Sequence, residues 1–368
     1  IEDDVHAKPP QSFPGKLLAF LLERYKAFKG SEESGMVIIP TELITENGTK
    51  LRSIVLELAA MNKLDKDFVK WVETANDFCN SLVDRIVPGK LPESDRIATE
   101  KKLGYTDELM ILSECFRLWA IESDSDRVRD ILSFTSADEG AVIAPDIEKF
   151  RELKLRLLNG THTFSCGLAY LSGFTTVREA MANEYISAFV ADIANNEIAT
   201  AIANESISYQ EACDFAAKVQ DRFRNPSLDH QWISISVQYS SKMKMRNVPL
   251  LLRHYSKTDE VPENMALGFA AYILFMKGTR DANGKYSGEA NGVVYPIQDD
   301  QAHLMATHWA SGDAELAANN ILTDKGFWGT DLSRLNGFAD AVKANLHSLI
   351  HKGALPTVSG KSTTRARV

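Results

Sequence analysis

As far as residue 145 the chain repeats one pattern, a short unbroken apolar run followed by a segment of helical period; beyond it only helical period continues. A run such as MVIIP at residues 36–40 suits a strand buried on both faces, where successive side chains point to opposite sides and both sides must be apolar. Ahead of it, Leu17, Leu18, Leu21, Leu22, Tyr25 and Phe28 fall on one helical stripe, and Gly30 supplies a stop. Helical spacing returns over residues 49–61 and 68–74, and further strands are expected at 81–87, 116–121 and 141–144. After Pro145 helices are expected over 147–158, 180–197, 209–223, 263–277, 302–311 and 335–351. The expected fold class is therefore α/β plus all-α, with an α/β part over residues 1–145 and a mostly helical part over 146–368. Residues 278–292, rich in Gly, Asn and Asp, read as an exposed loop, and the basic tail 361–368 reads as disordered.

Composition narrows the class of function. A chain of 368 residues can enclose an active site, and 44% hydrophobic with 25% charged residues is the balance of a soluble globular protein. No window approaches the roughly 18 consecutive apolar residues of a membrane span. The net charge of −9 argues against a general nucleic-acid footprint. Residues 1–10 are acidic and proline-rich, unlike a signal peptide, so the expected location is cytoplasmic. Cys79, Cys115, Cys166 and Cys213 lie far apart without a CxxC pair and read as reduced packing residues. His347 and His351 have the i, i+4 spacing of one helix face, but no HExxH or carboxylate pattern completes a site, and no metal is expected.

The stretch that can carry chemistry is KLRLLNGTH, beginning at Lys154, just past the expected boundary. A lysine can exchange a proton near neutral pH in a partly dry pocket, an Asn amide can donate to a developing alkoxide, and a histidine can orient a hydroxyl. Those are the needs of carbonyl reduction. On an uninterrupted α-helix Lys154 and Asn159 would sit about 140° apart, at about 100° per residue. A break at Asn159-Gly160 is therefore expected to bring Lys154, Asn159 and His162 around one cavity. The competing reading is an amphipathic helix with a solvated lysine and a capping Asn.

Lys-x4-Asn-x2-His in this context resembles the signature of the mannitol dehydrogenase family of polyol-specific long-chain dehydrogenases. LVDRIVP from Leu82, SECFRLWAIE from Ser113 and RFRNP from Arg222 resemble further segments of the same family, in order along the chain. The opening PPQSFPGKLLAFLLERYKAFKG and VIIPTELITENGTKLRSIVLELA are similar to its uronate-reducing branch. The resemblance implies metal-independent hydride transfer between NAD and a ketose-type carbonyl, with D-tagaturonate and D-altronate as the expected pair. Sister activities on fructuronate, mannitol or mannitol phosphate remain open, as does a catalytically silent helical module. By the same carry-over Lys154 is the general acid or base, Asn159 polarises the carbonyl oxygen, His162 positions a neighbouring hydroxyl, and Asp84 lies at the substrate site. An ion pair of Asp84 with Arg85 is the plainer alternative.

The chain also departs from the family. Leu43 stands where mannitol dehydrogenases place an oxyanion-hole Asn, and Asn47 reads more readily as a turn residue than as its substitute. Arg151 stands where relatives carry a Glu. A uronate would call for an added cation, and Arg151, His230, Lys242, Lys244 and Arg246 are the candidates. No strand followed by G-x-G-x-x-G and a helix is present, so no cofactor-binding residue can be named. In relatives that loop lies upstream of the position matching Ile1, and the first part is accordingly expected to be the C-terminal portion of a Rossmann-like domain. The expected partner is a small sugar acid, with no nucleic acid or membrane and with the oligomeric state open.

Overall fold

The computed structural model describes residues 3–365 and divides the chain into two compact units, one ending at Arg151 and the other beginning at Glu152. The division falls a few residues past the compositional change at Pro145, at the end of the helix Glu148–Glu152.

In the first unit the helix Phe13–Ala27 is capped by the Ser12 side chain, which accepts from the Gly15 backbone, and buries Leu18, Leu21 and Leu22. These meet Val55 and Leu58 of the helix Asn47–Met61 and Phe68, Trp71 and Val72 of Lys66–Ala75, with the Tyr25 ring edge-on to Phe68. Strand β1 (Val37–Ile38) pairs in parallel with β2 (Asp77–Phe78). A second sheet is formed by β3 (Ser81–Asp84), β6 (Leu118–Glu122) and β7 (Ala141–Ala144), antiparallel across β3–β6 and parallel across β6–β7. Between them β4 (Gly89–Lys90) and β5 (Ile111–Leu112) make a short antiparallel pair. Each expected strand exists: 141–144 with the expected bounds, those expected at 36–40 and 81–87 shortened, and that at 116–121 shifted to 118–122.

The second unit is built on the helices Thr161–Leu171, Glu263–Phe275 and Phe338–Lys352. The middle one is apolar on every face, as a helix surrounded by others must be. Its N-terminus is held by the buried Glu197 carboxylate, which accepts from the Asn264 and Met265 backbone amides and the Asn264 side chain, each at 2.8 Å. This places negative charge at the positive end of the helix dipole.

Three expectations are corrected. Strands do not stop at Pro145: β8 (Thr279–Arg280), β9 (Tyr286–Ala290) and β10 (Val293–Ile297) form an antiparallel sheet where a loop was expected over 278–292. The turn is Asn291-Gly292, both at positive φ, which is the hairpin chemistry of a type I′ turn. The basic tail is helical through Arg365, in Ala354–Arg365, and the Lys361 ammonium lies 2.9 Å from Glu263; residues 366–368 fall outside the described residues. Of the four cysteines, Cys79 and Cys166 are buried and Cys213 partly so, but Cys115 is exposed and is not a packing residue. Among the described residues no helix is long and apolar enough to cross a membrane.

A Cβ at Gly268 would lie 2.8 Å from the Phe164 carbonyl oxygen, so the two central helices touch through backbone there. Gly268→Ala is expected to lower unfolding free energy by about 1–3 kcal/mol through forced separation. Urea unfolding is the measurement, and a change within about 0.5 kcal/mol, typical of an unconstrained surface site, would refute the close contact.

Candidate active site

The segment Leu153–Gly160 is a π-helix, with i to i+5 hydrogen bonds, and it passes into the helix Thr161–Leu171 with helical dihedrals at Glu152, Gly160 and Thr161. The break expected at Asn159-Gly160 does not occur. The wider π turn stacks residues five apart, so Lys154 and Asn159 share a face without any kink, and His162 follows one α-turn later. Gly160 permits a neighbour to approach: a Cβ there would stand 3.2 Å from Leu250 Cδ1 and 3.4 Å from Asn247 Oδ1. The Thr163 hydroxyl bonds back to the Asn159 carbonyl at 2.7 Å.

Lys154 and Asn159 are half-buried, whereas His162 is 6% exposed. Its ring stacks on Phe223 at 3.9 Å between centroids, with His230 and Trp232 edge-on at 5.3 and 6.0 Å. Burial, followed by the fields of His230, Arg222, Arg246 and Lys242, holds the imidazole well below its ordinary pKa, so it is neutral at pH 7. Nε2 is buried with no hydrogen-bond partner.

The facing element is another π-helix, Met243–Asn247, between the helices Tyr239–Lys242 and Val248–Tyr255. Its three candidate cations are divided: Lys244 is exposed with its ammonium over the Phe327 ring, while Lys242 and Arg246 are half-buried. Lys242 Nζ donates to the Ile235 carbonyl at 2.8 Å and Arg246 Nη1 to the Thr163 hydroxyl at 3.2 Å. Burial depresses the pKa of Lys242, helped by Arg246, and that of Arg246 itself. His230 is lowered by burial and by Lys242.

Sequence reasoning missed the residue that joins the two π segments. Pro249, at the start of the helix Val248–Tyr255, has no N–H to return to the turn before it. The buried Arg156 supplies one, its Nη1 donating to Met245 O at 2.9 Å and to Arg246 O at 2.8 Å, while its other nitrogens reach the Glu152 carboxylate. Burial raises the Glu152 pKa, but Arg253 and Arg156 outweigh it and hold the carboxyl below its ordinary value. Arg156 stands inside the KLRLLN motif and Pro249 shortly after KMKMR, so both signals lay in stretches already singled out.

The remaining candidates belong to the first unit. Asp84 is buried at the end of β3, and its neighbour Arg85 donates to the Glu114 carbonyl at 3.0 Å. Arg151 is ion-paired with Glu148. Leu43 is 85% exposed. The Asn47 amide is consumed by the carbonyls of Pro40, Glu42 and Ser81, which makes it a fastener of its own loop. His347 and His351 face each other at 4.2 Å between centroids, and among the described residues no group of three or more His, Cys, Asp or Glu is arranged to hold a metal.

The mannitol dehydrogenase Rossmann domain matches residues 10–131 and the mannitol dehydrogenase C-terminal domain residues 146–350. Altronate oxidoreductase of Bacillus subtilis (strain 168) is 35% identical over 357 residues, covering 96% of this chain and 70% of that protein. The altronate oxidoreductase of Halalkalibacterium halodurans is 36% identical over 360 residues, covering 96% and 69%. Among solved structures, the ternary complex of Pseudomonas fluorescens mannitol 2-dehydrogenase with NAD and D-mannitol superposes with a TM-score of 0.64 at 24% identity, over 96% of this chain and 67% of that one. Substrate-free D-sorbitol dehydrogenase gives 0.72 at 20% identity, over 95% and 67%. At these identities the two structures bear on the fold alone.

The neutral, buried state of His162 makes a pH test. Below its ordinary value of 6.5 the unfolded chain takes up a proton that the folded imidazole refuses. Its contribution to stability is therefore present above that value and lost as pH falls below it. The stability difference between the wild type and His162→Gln should shrink between about pH 7 and pH 5, followed by chemical unfolding. A difference independent of pH would mean that the imidazole is not held neutral.

Proposed function

The chain belongs to the mannitol dehydrogenase family of oxidoreductases, and from that premise we propose that it interconverts D-tagaturonate and D-altronate by NAD-linked, metal-independent hydride transfer. What carries the proposal is that altronate oxidoreductases match it at about 35% identity along almost its whole length. The presence of Lys154, Asn159 and His162 along one side of a continuous helix supports it.

The described residues do not fit a pyrophosphate cradle. The glycine that opens the helix Asn47–Met61, Gly48, is filled by the chain itself, since a Cβ there would meet the Cys79 carbonyl oxygen at 2.4 Å. The dinucleotide is thus assigned from the family, and the chemistry derived from these residues is confined to the substrate's oxygen and proton. In reduction the Lys154 ammonium gives its proton to the carbonyl oxygen as that oxygen becomes a hydroxyl; in oxidation the amine takes it back. The Asn159 amide donates to the same oxygen and favours its developing negative charge. His162, neutral and unpartnered at Nε2, is suited to bind an adjacent hydroxyl. Asp84 is proposed as a further substrate ligand on the family motif alone.

Loss of NADH absorbance is expected with tagaturonate and not with fructuronate or fructose. Turnover of fructose alone would overturn the substrate assignment. Lys154→Ala should lower kcat by about a hundredfold or more with the fold retained, and Asn159→Ala by about tenfold to a thousandfold. Unchanged kcat in either variant would remove that residue from the chemistry.

A further inference from the structure

Five cations were candidates for recognising a substrate carboxylate, and their environments separate them. Arg151 is ion-paired with Glu148. Lys244 is exposed and rests over Phe327. Lys242 has its ammonium engaged by the Ile235 carbonyl. His230 is pushed toward its neutral form by burial. Arg246 differs from all four. It is half-buried, and among the described residues its guanidinium has no carboxylate partner and makes only one hydrogen bond, from Nη1 to the Thr163 hydroxyl. A guanidinium offers five N–H donors in a rigid fork, and a desolvated one is ordinarily paired with an anion.

Resting on the sugar-acid reading above, we propose that Arg246 is the residue that binds the substrate's carboxylate and thereby selects an acid over a neutral polyol. Its placement fits that role. The Thr163 hydroxyl that anchors it bonds to the Asn159 carbonyl, and Thr163 follows His162 directly, so the guanidinium stands at the turn that carries the proposed carbonyl and hydroxyl ligands. Its backbone is fixed independently, because the Arg156 guanidinium grips the carbonyls of Met245 and Arg246. A fork whose main chain is clamped and whose one N–H is tethered loses little freedom when it closes on a carboxylate. Neighbouring Lys242 and the buried, unpartnered Nε2 of His162 leave this region with excess positive character and an unfilled hydrogen-bonding group. An anionic, hydroxylated ligand answers both.

The test is equilibrium binding rather than turnover. The 368-residue chain is titrated calorimetrically with altronate and, separately, with the neutral six-carbon alditol of the same configuration, for the wild type, Arg246→Gln and Arg246→Lys. Thermal unfolding verifies that the variants are folded. The wild type should prefer altronate. Arg246→Gln should weaken altronate binding by roughly tenfold to a hundredfold, the worth of a charged hydrogen-bonded contact, while leaving the alditol unchanged. Arg246→Lys should recover part of the preference, since it keeps the charge without the fork. Retention of the full preference by Arg246→Gln, or equal weakening of both ligands, would overturn the role of Arg246 while leaving the sugar-acid reading standing. Absence of any preference in the wild type would overturn both.

Discussion

The grip of Arg156 on two backbone carbonyls is the contact on which the rest of the site depends. It joins Leu153–Gly160, which carries Lys154 and Asn159, to Met243–Asn247, which carries Arg246. Neither segment has ordinary α-helical bonding, and Pro249 offers no N–H to the turn before it. A buried carbonyl without a donor costs about 1–3 kcal/mol. Arg156 removes that cost at two carbonyls and ties the register of one π turn to that of the other. Its own charge is compensated by Glu152, one turn earlier on the same helix, which Arg253 also contacts. An irregular pattern of helical hydrogen bonds is thereby made the support of the candidate side chains.

This support explains how cations can be gathered where water is scarce. Lys242 and Arg246 are both half-buried and each disfavours the charged form of groups around it, so their arrangement is electrostatically unfavourable. Tertiary structure must hold them there. The large apolar core of the second unit, with Phe269, Tyr272 and Phe275 on its central helix, supplies the stability that such an arrangement consumes. Natural proteins tolerate local conflict of this kind at functional sites, where a ligand relieves it.

Much of the architecture could be read in the sequence because apolar periodicity reports burial directly. The runs at 36–40 and 141–144 were legible as strands, although the second is only partly buried, and the stripe from Leu18 to Leu22 as a helix face. What escaped has physical reasons. The hairpin around Asn291-Gly292 has exposed Val293 and Val294 beside polar neighbours, so its strands lack a one-sided apolar alternation and composition alone resembles a loop. The π turns escaped because hydrophobic period assumes 3.6 residues per turn, and under that assumption Lys154 and Asn159 diverge. The motif singled out Lys154, Asn159 and His162, but the break supposed at Gly160 does not exist, and the helix runs through it. Gly160 serves close packing against Asn247 and Leu250 instead. The division of the charge run into exposed Lys244 and half-buried Lys242 and Arg246 follows i, i+4 spacing, which an ordinary helical turn already gives.

Keeping His162 neutral completes the electrostatic logic. A protonated imidazole between Phe223, His230 and Trp232 would add another charge to a region that already holds two cations, and it would give up the lone pair that can accept from a hydroxyl. Burial and the neighbouring positive charges disfavour that state, so the cations around the ring also keep the histidine in its neutral form. A carboxylate arriving at Arg246 would weaken this repulsion and make proton uptake at His162 and His230 easier. Proton uptake and carboxylate binding are therefore linked through the same field, and burial of the His162 ring sets the limit within which the imidazole remains neutral while that field is partly cancelled.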